Sequence, residues 1–132
     1  MDSEPINQNT QLPRRFVVLL HRQKAAHHFD LMIDAGQKLA TWKMADPPET
    51  ARDAPQRCLR LPDHRRRYLD YEGPISQNRG EVTRHDAGDC VVHAQSKTCW
   101  EVTFHGHRLI GRVHIEAADQ SGETWLLRFA TA

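Results

Sequence analysis

Short segments in which apolar and polar residues alternate recur along most of the chain. RFVVLLH, at residues 15–21, is apolar with β-branched residues at its centre, and HFDLMID, at residues 28–34, alternates two sets of residues before a turn at Ala35-Gly36. KLATWKM, at residues 38–44, follows that turn. Alternation with a period of two is typical of β-strands. We therefore predict three successive strands here, the last two joined as a hairpin.

The remainder of the chain predicts further short strands separated by turns and long loops. The segment 45–56 contains three prolines, so it can hold at most one helical turn. The segment 63–80 is polar and aromatic, and loops of this length are often functional. Further strands are expected at RCLRLP, GEVTRHD, DCVVHAQ, CWEVTFHG, HRLIGRVHIEAA and TWLLRFA, with a turn at Ala87-Gly88 between the second and third of these. The pattern predicts a mainly β fold, a small antiparallel barrel or sandwich with long loops and little helix.

The composition fits one domain. The chain has 132 residues, 39% of them hydrophobic, and we place the domain at residues 15–132, after a flexible polar tail at residues 1–14. The formal net charge is +1, which excludes a field of one sign over the whole surface. Binding to nucleic acid would therefore need a local basic patch, and the arginines between residues 57 and 67 could form one.

Cysteine usage and hydropathy predict a cytoplasmic protein that has no contact with a membrane. Cys58, Cys90 and Cys99 are odd in number and form no CxxC pair, so we expect free, mostly buried thiols in a reducing compartment. The first residues are polar and lack the apolar segment of a signal peptide. No run of about 18 apolar residues occurs.

The segment HRQKAAHHFDLMID, at residues 21–34, contains three histidines and two aspartates beside apolar residues. Successive side chains of a strand point to opposite faces, so Phe29, Leu31 and Ile33 should pack into the core. His28 and Asp30 then project together from the other face, and His27 points away from them.

A third metal ligand could come from His21, at the end of the preceding strand. An antiparallel return through residues 22–27 would bring His21 opposite the start of HFDLMID, beside His28 and Asp30. Two imidazoles and one carboxylate suit Mn²⁺, Zn²⁺ or Fe²⁺. A His-x-Asp pair is also common as a hydrogen bond or salt link on a solvated strand face, and the residues alone leave both interpretations open.

His64 lies in the polar segment PDHRRRYLDYEG, between Asp63 and the run Arg65 to Arg67, and four residues before Tyr68. Imidazole, guanidinium and phenol groups together supply the donors that hold a phosphoryl group. A solvated, arginine-rich face with no ligand is the alternative.

Several of these motifs occur together in a known family. In this order along the chain, they resemble the 3′-phosphoesterase domain of bacterial and archaeal DNA ligase D from about Arg15 to Ala130: FVVLLH, HFDLMID, KLATW, DHRRRYLDYEGPIS, FHGHRLIGRVHI and TWLLRF. The resemblance implies a compact β-barrel that binds Mn²⁺, with Zn²⁺ or another divalent metal as alternatives, through His21, His28 and Asp30. It also implies two catalytic residues, His64 near the scissile phosphate and Tyr68 beside it.

The implied reaction removes a 3′-terminal ribonucleotide and then the 3′-phosphate, leaving a 3′-OH for a ligase or polymerase. We therefore expect a divergent, stand-alone member of the family that acts on DNA or RNA 3′ ends in non-homologous end joining, with a separate ligase or end-joining protein as its partner. Arg57 and Arg65 are the expected phosphate-binding residues.

Met32 departs from the pattern of the family, which has an arginine two residues after the metal-binding aspartate. An arginine contacts phosphate far better than a thioether does. The alternative hypothesis is therefore a binding module that recognises nucleic-acid ends or a repair protein and cleaves weakly or not at all.

Overall fold

The structure is a computed structural model that describes residues 12–130. Its regular elements there are nine strands and two short 3₁₀ helices, at Pro48–Arg52 and Arg66–Leu69. No helix among these residues is long and apolar enough to cross a membrane. The strands are β1 (Pro13–Gln23), β2 (Ala26–Asp34), β3 (Lys38–Met44), β4 (Gln56–Arg65), β5 (Gly73–Pro74), β6 (Glu81–Gln95), β7 (Cys99–His105), β8 (Ile110–Ala117) and β9 (Thr124–Phe129).

Eight of these strands form a closed antiparallel barrel. Their order is β1-β2-β3-β4-β9-β8-β7-β6, and pairing of β6 with β1 closes the sheet. The two-residue β5 pairs with the start of β6. Closure leaves no long unpaired edge among the eight strands described. The predicted mainly β fold and antiparallel barrel are confirmed.

The predicted turn at Ala87-Gly88 is wrong, because both residues lie inside the 15-residue strand β6. The strand instead shifts its register opposite Val18 and Leu19 of β1, as at a β-bulge. A Cβ at Gly88 would overlap the carbonyl oxygen of His105 in β7. This glycine therefore permits two strands to approach closely rather than the chain to turn.

Two other boundaries differ from the prediction. Strand β4 continues to Arg65, so Asp63 and His64 belong to a strand and not to a loop. Strand β1 begins at Pro13, within the predicted tail, and residues 1–11 lie outside the described part.

The interior of the barrel is apolar and aromatic. Trp42 packs edge to face against Trp100 and Trp125, with ring centroids 5.2 and 5.8 Å away. All three cysteines are free, as predicted, and burial raises the pKa of the Cys58 and Cys90 thiols to about 12. These two thiols therefore stay protonated and serve as small apolar side chains.

A second apolar cluster lies on the outer face of the barrel. We call it the outer-face cluster; its buried members are Val17, Leu19, Met32, Leu39, Leu69 and Val82. Residues 66–80, here called the covering segment, pack over it through Leu69, Tyr68, Tyr71 and Ile75. The segment is joined to the barrel by ion pairs of Asp70 with Arg15 and of Arg66 with Asp34. One part of the outer surface is thus buried as deeply as the core.

Asp86 of β6 holds the loop between β7 and β8 in place. Its buried carboxylate accepts hydrogen bonds from the backbone N–H groups of Ala87, His107, Arg108 and Leu109, at 2.7–3.0 Å. Burial by itself raises the pKa of Asp86, but these four donors outweigh it and hold the pKa below its ordinary value of 3.8.

Replacing Asp86 is therefore expected to destabilise the fold. Asp86→Ala leaves buried N–H groups without an acceptor, which lowers the free energy of unfolding by roughly 3 kcal/mol. Because the folded pKa is depressed, the carboxylate stabilises the fold above pH 3.8, and that stabilisation is lost as the pH falls through the lower folded value. Urea denaturation at neutral and acidic pH measures both effects.

Asp89→Ala is the matched control, because Asp89 is an exposed aspartate on the same strand. Equal stability of the two variants at neutral pH would show that the Asp86 carboxylate does not hold this loop.

Candidate metal centre and adjoining cavities

The three predicted metal ligands lie together on the outer face of β1 and β2. His21 is directly opposite His28 in the β1–β2 pairing, and Asp30 follows two residues later on the same face. His21 Nδ1 lies 3.8 Å from Asp30 Oδ2, and His28 Nε2 lies 3.3 Å from Asp30 Oδ1. One ligand atom from each residue lies within 4.8 Å of the other two. Binding of a metal by this candidate triad stays a prediction.

The alternation of side chains along β2 is as predicted. Phe29, Leu31 and Ile33 are buried in the barrel interior. His28 and Asp30 point to the outer face, whereas His27 is exposed and its ring lies 6.2 Å from that of Phe29. Asp30 is only 3% exposed. The face that carries the triad is therefore buried by the covering segment, which disfavours a salt link on a solvated strand.

One oxygen of the buried Asp30 carboxylate lacks a hydrogen bond in the described residues, and a bound cation would compensate for it. Its Oδ1 atom is buried and accepts no hydrogen bond from any residue between 12 and 130. A carboxylate removed from water is costly unless it is paired or coordinates a metal. Two imidazole nitrogens and one carboxylate oxygen form a donor set that fits Mn²⁺ or Zn²⁺. The residues present thus fit the metal that the resemblance implies.

A backbone carbonyl fixes the orientation of His21. Its Nε2 lies 2.7 Å from the carbonyl oxygen of Arg79. Because a carbonyl can only accept, Nε2 carries a proton, and Nδ1, which faces Asp30, is the nitrogen that has the lone pair in the neutral imidazole. Metal-binding histidines usually have an outer hydrogen bond of this kind. The covering segment therefore holds the His21 ring with Nδ1 toward Asp30, which is the orientation that the predicted metal site needs.

A backbone carbonyl also orients His64, but through Nδ1 rather than Nε2. Its Nδ1 lies 2.8 Å from the carbonyl oxygen of Pro62 and must donate to it, so Nε2 is the nitrogen available for chemistry. The His64 ring packs edge to face on Tyr68, with centroids 6.0 Å apart. Both predicted catalytic residues thus form one edge-to-face pair, although their roles stay predictions.

Two adjoining cavities open at this site. The smaller one, here the triad cavity, has a volume of about 150 Å³ and is lined by His21, Asp30, Met32, His64, Tyr68, Ile75, Arg79 and Val82. The larger one, here the outer cavity, has a volume of about 620 Å³ and shares His64, Tyr68, Ile75 and Arg79 with it. A ligand in the outer cavity can therefore extend to the triad.

The expected phosphate-binding arginines differ in position. Arg65 lines the outer cavity. Arg57 lies near the start of β4, opposite Leu126 of β9, and lines neither cavity. Arg79 was missed by the sequence analysis. The length and composition of segment 63–80 favour a functional loop, but no spacing in the sequence links residue 79 to His21.

Comparison with known protein families supports the resemblance. The family described as the DNA ligase D 3′-phosphoesterase domain matches residues 20–116, more than half of the chain. The matched range begins within β1, ends within β8, and includes every predicted site residue. Comparison with curated proteins gave no match.

Mn²⁺ is expected to stabilise the protein through Asp30. At a free concentration about 100 times the Kd, a ligand that binds only the folded state adds about 2.7 kcal/mol to the free energy of unfolding. Asp30→Asn should abolish this gain. Without metal the same variant should be at least as stable as wild type, because a neutral amide replaces a buried carboxylate whose Oδ1 accepts no hydrogen bond in the described residues. Thermal unfolding with and without Mn²⁺ measures both.

His27→Ala is the control and should respond to Mn²⁺ as wild type does, since His27 is exposed on the other face. Equal Mn²⁺ responses of wild type and Asp30→Asn would contradict a metal site at the triad.

Gly80→Ala is expected to weaken metal binding indirectly. Gly80 has φ +89°, and a Cβ there would overlap the carbonyl oxygen of Arg22. The substitution therefore moves residues 79 and 80, including the carbonyl that orients His21. Loss of such an outer partner typically costs about 10- to 100-fold in metal affinity. Calorimetric titration with Mn²⁺ measures the change.

Gly36→Ala is the matched control, because Gly36 also has positive φ but has open space around its Cα. A metal affinity in Gly80→Ala equal to that in Gly36→Ala would show that the Arg79 carbonyl does not prepare His21.

Proposed function

Because the chain belongs to the DNA ligase D 3′-phosphoesterase domain family, we propose that it is a metal-dependent phosphoesterase acting on 3′-ribonucleotide or 3′-phosphate ends of nucleic acid in DNA end repair. One observation carries this proposal. The buried carboxylate of Asp30, with His21 and His28 beside it, faces a cavity that is also lined by His64 and Tyr68. Metal-ligand and proton-transfer groups thus meet within one small space.

His21 Nδ1, His28 Nε2 and an Asp30 oxygen are the atoms that would hold the metal, with Mn²⁺ or Zn²⁺ as the candidates. When bound, the metal would supply Lewis-acid stabilisation of a phosphate oxygen.

His64 is proposed to act as a hydrogen-bond donor or general acid toward the phosphate. With Nδ1 donating to Pro62, a protonated Nε2 can donate a hydrogen bond to a phosphate oxygen or a proton to the leaving oxygen. Tyr68 holds the ring by edge-to-face packing and brings a phenol to the same cavity. Pro62 and Tyr68 thus fix both the tautomer and the orientation of the imidazole.

The outer cavity is proposed to receive the nucleotide at the 3′ end. It is lined by the aromatic rings of Tyr68 and Tyr71 and by Arg65 and Arg67. The Arg67 guanidinium lies 4.4 Å from the centre of the Tyr71 ring, so the lining combines a cation with aromatic rings. Aromatic faces stack on bases without regard to sequence, and the arginines suit phosphates. Arg57 has no part in this proposed site, because it lines neither cavity.

Met32 favours a second candidate function, that of a binding module which recognises ends without cleaving them. Its side chain is 2% exposed, belongs to the outer-face cluster and lines the triad cavity. A thioether there offers no charge to a phosphate. A separate ligase or end-joining protein as partner, non-homologous end joining as the pathway and a cytoplasmic location all stay predictions.

The test is incubation of a labelled primer-template that ends in a 3′-phosphate or a 3′-ribonucleotide with the protein and Mn²⁺. Wild type should convert both ends to 3′-OH. His64→Ala should slow the reaction by a factor of about 100 to 10,000, the usual contribution of a general acid or base. His28→Ala should abolish it together with metal binding, and His27→Ala should react as wild type.

Intact ends after incubation with wild type, in either Mn²⁺ or Zn²⁺, would reject the phosphoesterase. Binding of the same ends that weakens with salt would then favour the binding module, because phosphate contacts release counterions. Activity that appears only after Met32→Arg would support the same conclusion.

A further inference from the structure

The triad cavity contains its own candidate phosphate-binding cation. Of the eight described residues that line it, Arg79 alone carries a permanent positive charge. Asp30 supplies a negative charge and the remaining residues are histidines or uncharged. A phosphate that reaches the triad therefore enters a space in which Arg79 is the one arginine within the described lining.

The Arg79 guanidinium has capacity for a ligand. Its Nε and one terminal nitrogen donate to the carbonyl oxygen and the hydroxyl of Ser76, at 2.9 and 3.1 Å. It forms no ion pair with a carboxylate in the described residues, whereas Arg15, Arg60 and Arg66 each pair with an aspartate. Ser76 thus holds one side of the fork and leaves further N–H donors and the charge unneutralised.

Other cations near the site are less well placed. Arg65 and Arg67 line the outer cavity but not the triad cavity. Arg22 and Lys24 line a separate cavity of about 540 Å³, along with residues 74–75, 78 and 80–81 of the chain. Lys43 is opposite Asp30 in the β2–β3 pairing but lines neither the triad cavity nor the outer cavity.

The main chain of residue 79 is fixed to the triad independently of its side chain. The Arg79 carbonyl accepts from His21, and Gly80 is held against β1 at Arg22, with its carbonyl accepting from the N–H of Ile75. A substitution of the Arg79 side chain therefore leaves the orientation of His21 in place. The charge and the metal ligand can be tested separately.

From these contacts we propose that Arg79 binds the terminal phosphate of a 3′ end in the triad cavity. It supplies the positive charge that Met32, which lines the same cavity, does not. The proposal rests on the function proposed above, because it takes the ligand to be a nucleic-acid 3′ end. It assigns end recognition to the covering segment rather than to a barrel strand.

The experiment compares the affinities of two primer-templates by fluorescence anisotropy in Mn²⁺. One ends in a 3′-OH, and the other in a non-hydrolysable 3′-phosphonate in which CH₂ replaces the bridging oxygen. Wild type should prefer the phosphonate end. Arg79→Gln should reduce that preference about tenfold or more, as expected for loss of a charge-assisted contact, and Arg79→Lys should keep part of it. Arg65→Gln should weaken binding to both ends equally.

Two further variants test whether the preference depends on a positive charge in the triad cavity. Met32→Arg added to Arg79→Gln should restore the preference, because residue 32 lines the same cavity. Lys43→Gln should retain it. Stabilisation of Arg79→Gln by Mn²⁺ to the same extent as wild type would show that the fold and the triad are intact.

The proposal is overturned if wild type binds both ends equally, or if Arg79→Gln, with intact Mn²⁺ binding, keeps the wild-type preference. Failure of the proposed phosphoesterase is a different result. Wild type would then leave a 3′-phosphate uncleaved, while an Arg79-dependent preference for the phosphonate end could still be present.

Discussion

Burial of the Asp30 carboxylate is the constraint around which this part of the molecule is organised. A carboxylate at 3% exposure needs compensation, and the largely buried imidazoles of His21 and His28 lie within 3.8 Å of its oxygens. Its Oδ1 atom has no hydrogen-bond donor in the described chain. A divalent cation between Asp30, His21 and His28 would supply the missing charge. The function of the site and the electrostatic balance of the fold therefore depend on the same three side chains.

The two faces of β1 and β2 have different roles in the structure. The inward face fills the barrel with Phe16, Val18, Leu31 and their neighbours, and gives the strands a rigid, closed frame. The outward face carries members of the outer-face cluster and, next to them, the triad. A one-residue shift of β2 would exchange its two faces and turn Asp30 into the apolar interior of the barrel, so the register is strongly specified. The cross-strand position of His21 and His28 is thereby fixed by packing on both sides.

The covering segment converts a strand face into a cavity. It buries Asp30, orients His21 through a carbonyl, and contributes Tyr68 and Arg79 to the lining. Its apolar contacts with the outer-face cluster hold it in place more strongly than its exposed ion pairs do, since each exposed pair adds little to stability. The covering segment, a connection between strands, thus distinguishes this site from the face of an ordinary solvated sheet.

The sequence alone determined the strand faces, because a period of two is a local property that needs no knowledge of neighbours. It placed Phe29, Leu31 and Ile33 inside, and His28 with Asp30 outside, and the motif order indicated the family. The tertiary structure decided what the sequence could not encode locally. The covering segment folds over the outer face, so the carboxylate, for which the residues alone also allowed a solvated strand face, is buried. Arg79 approaches His21 across 58 residues of chain. Contacts of that separation depend on closure of the barrel, which no single segment specifies.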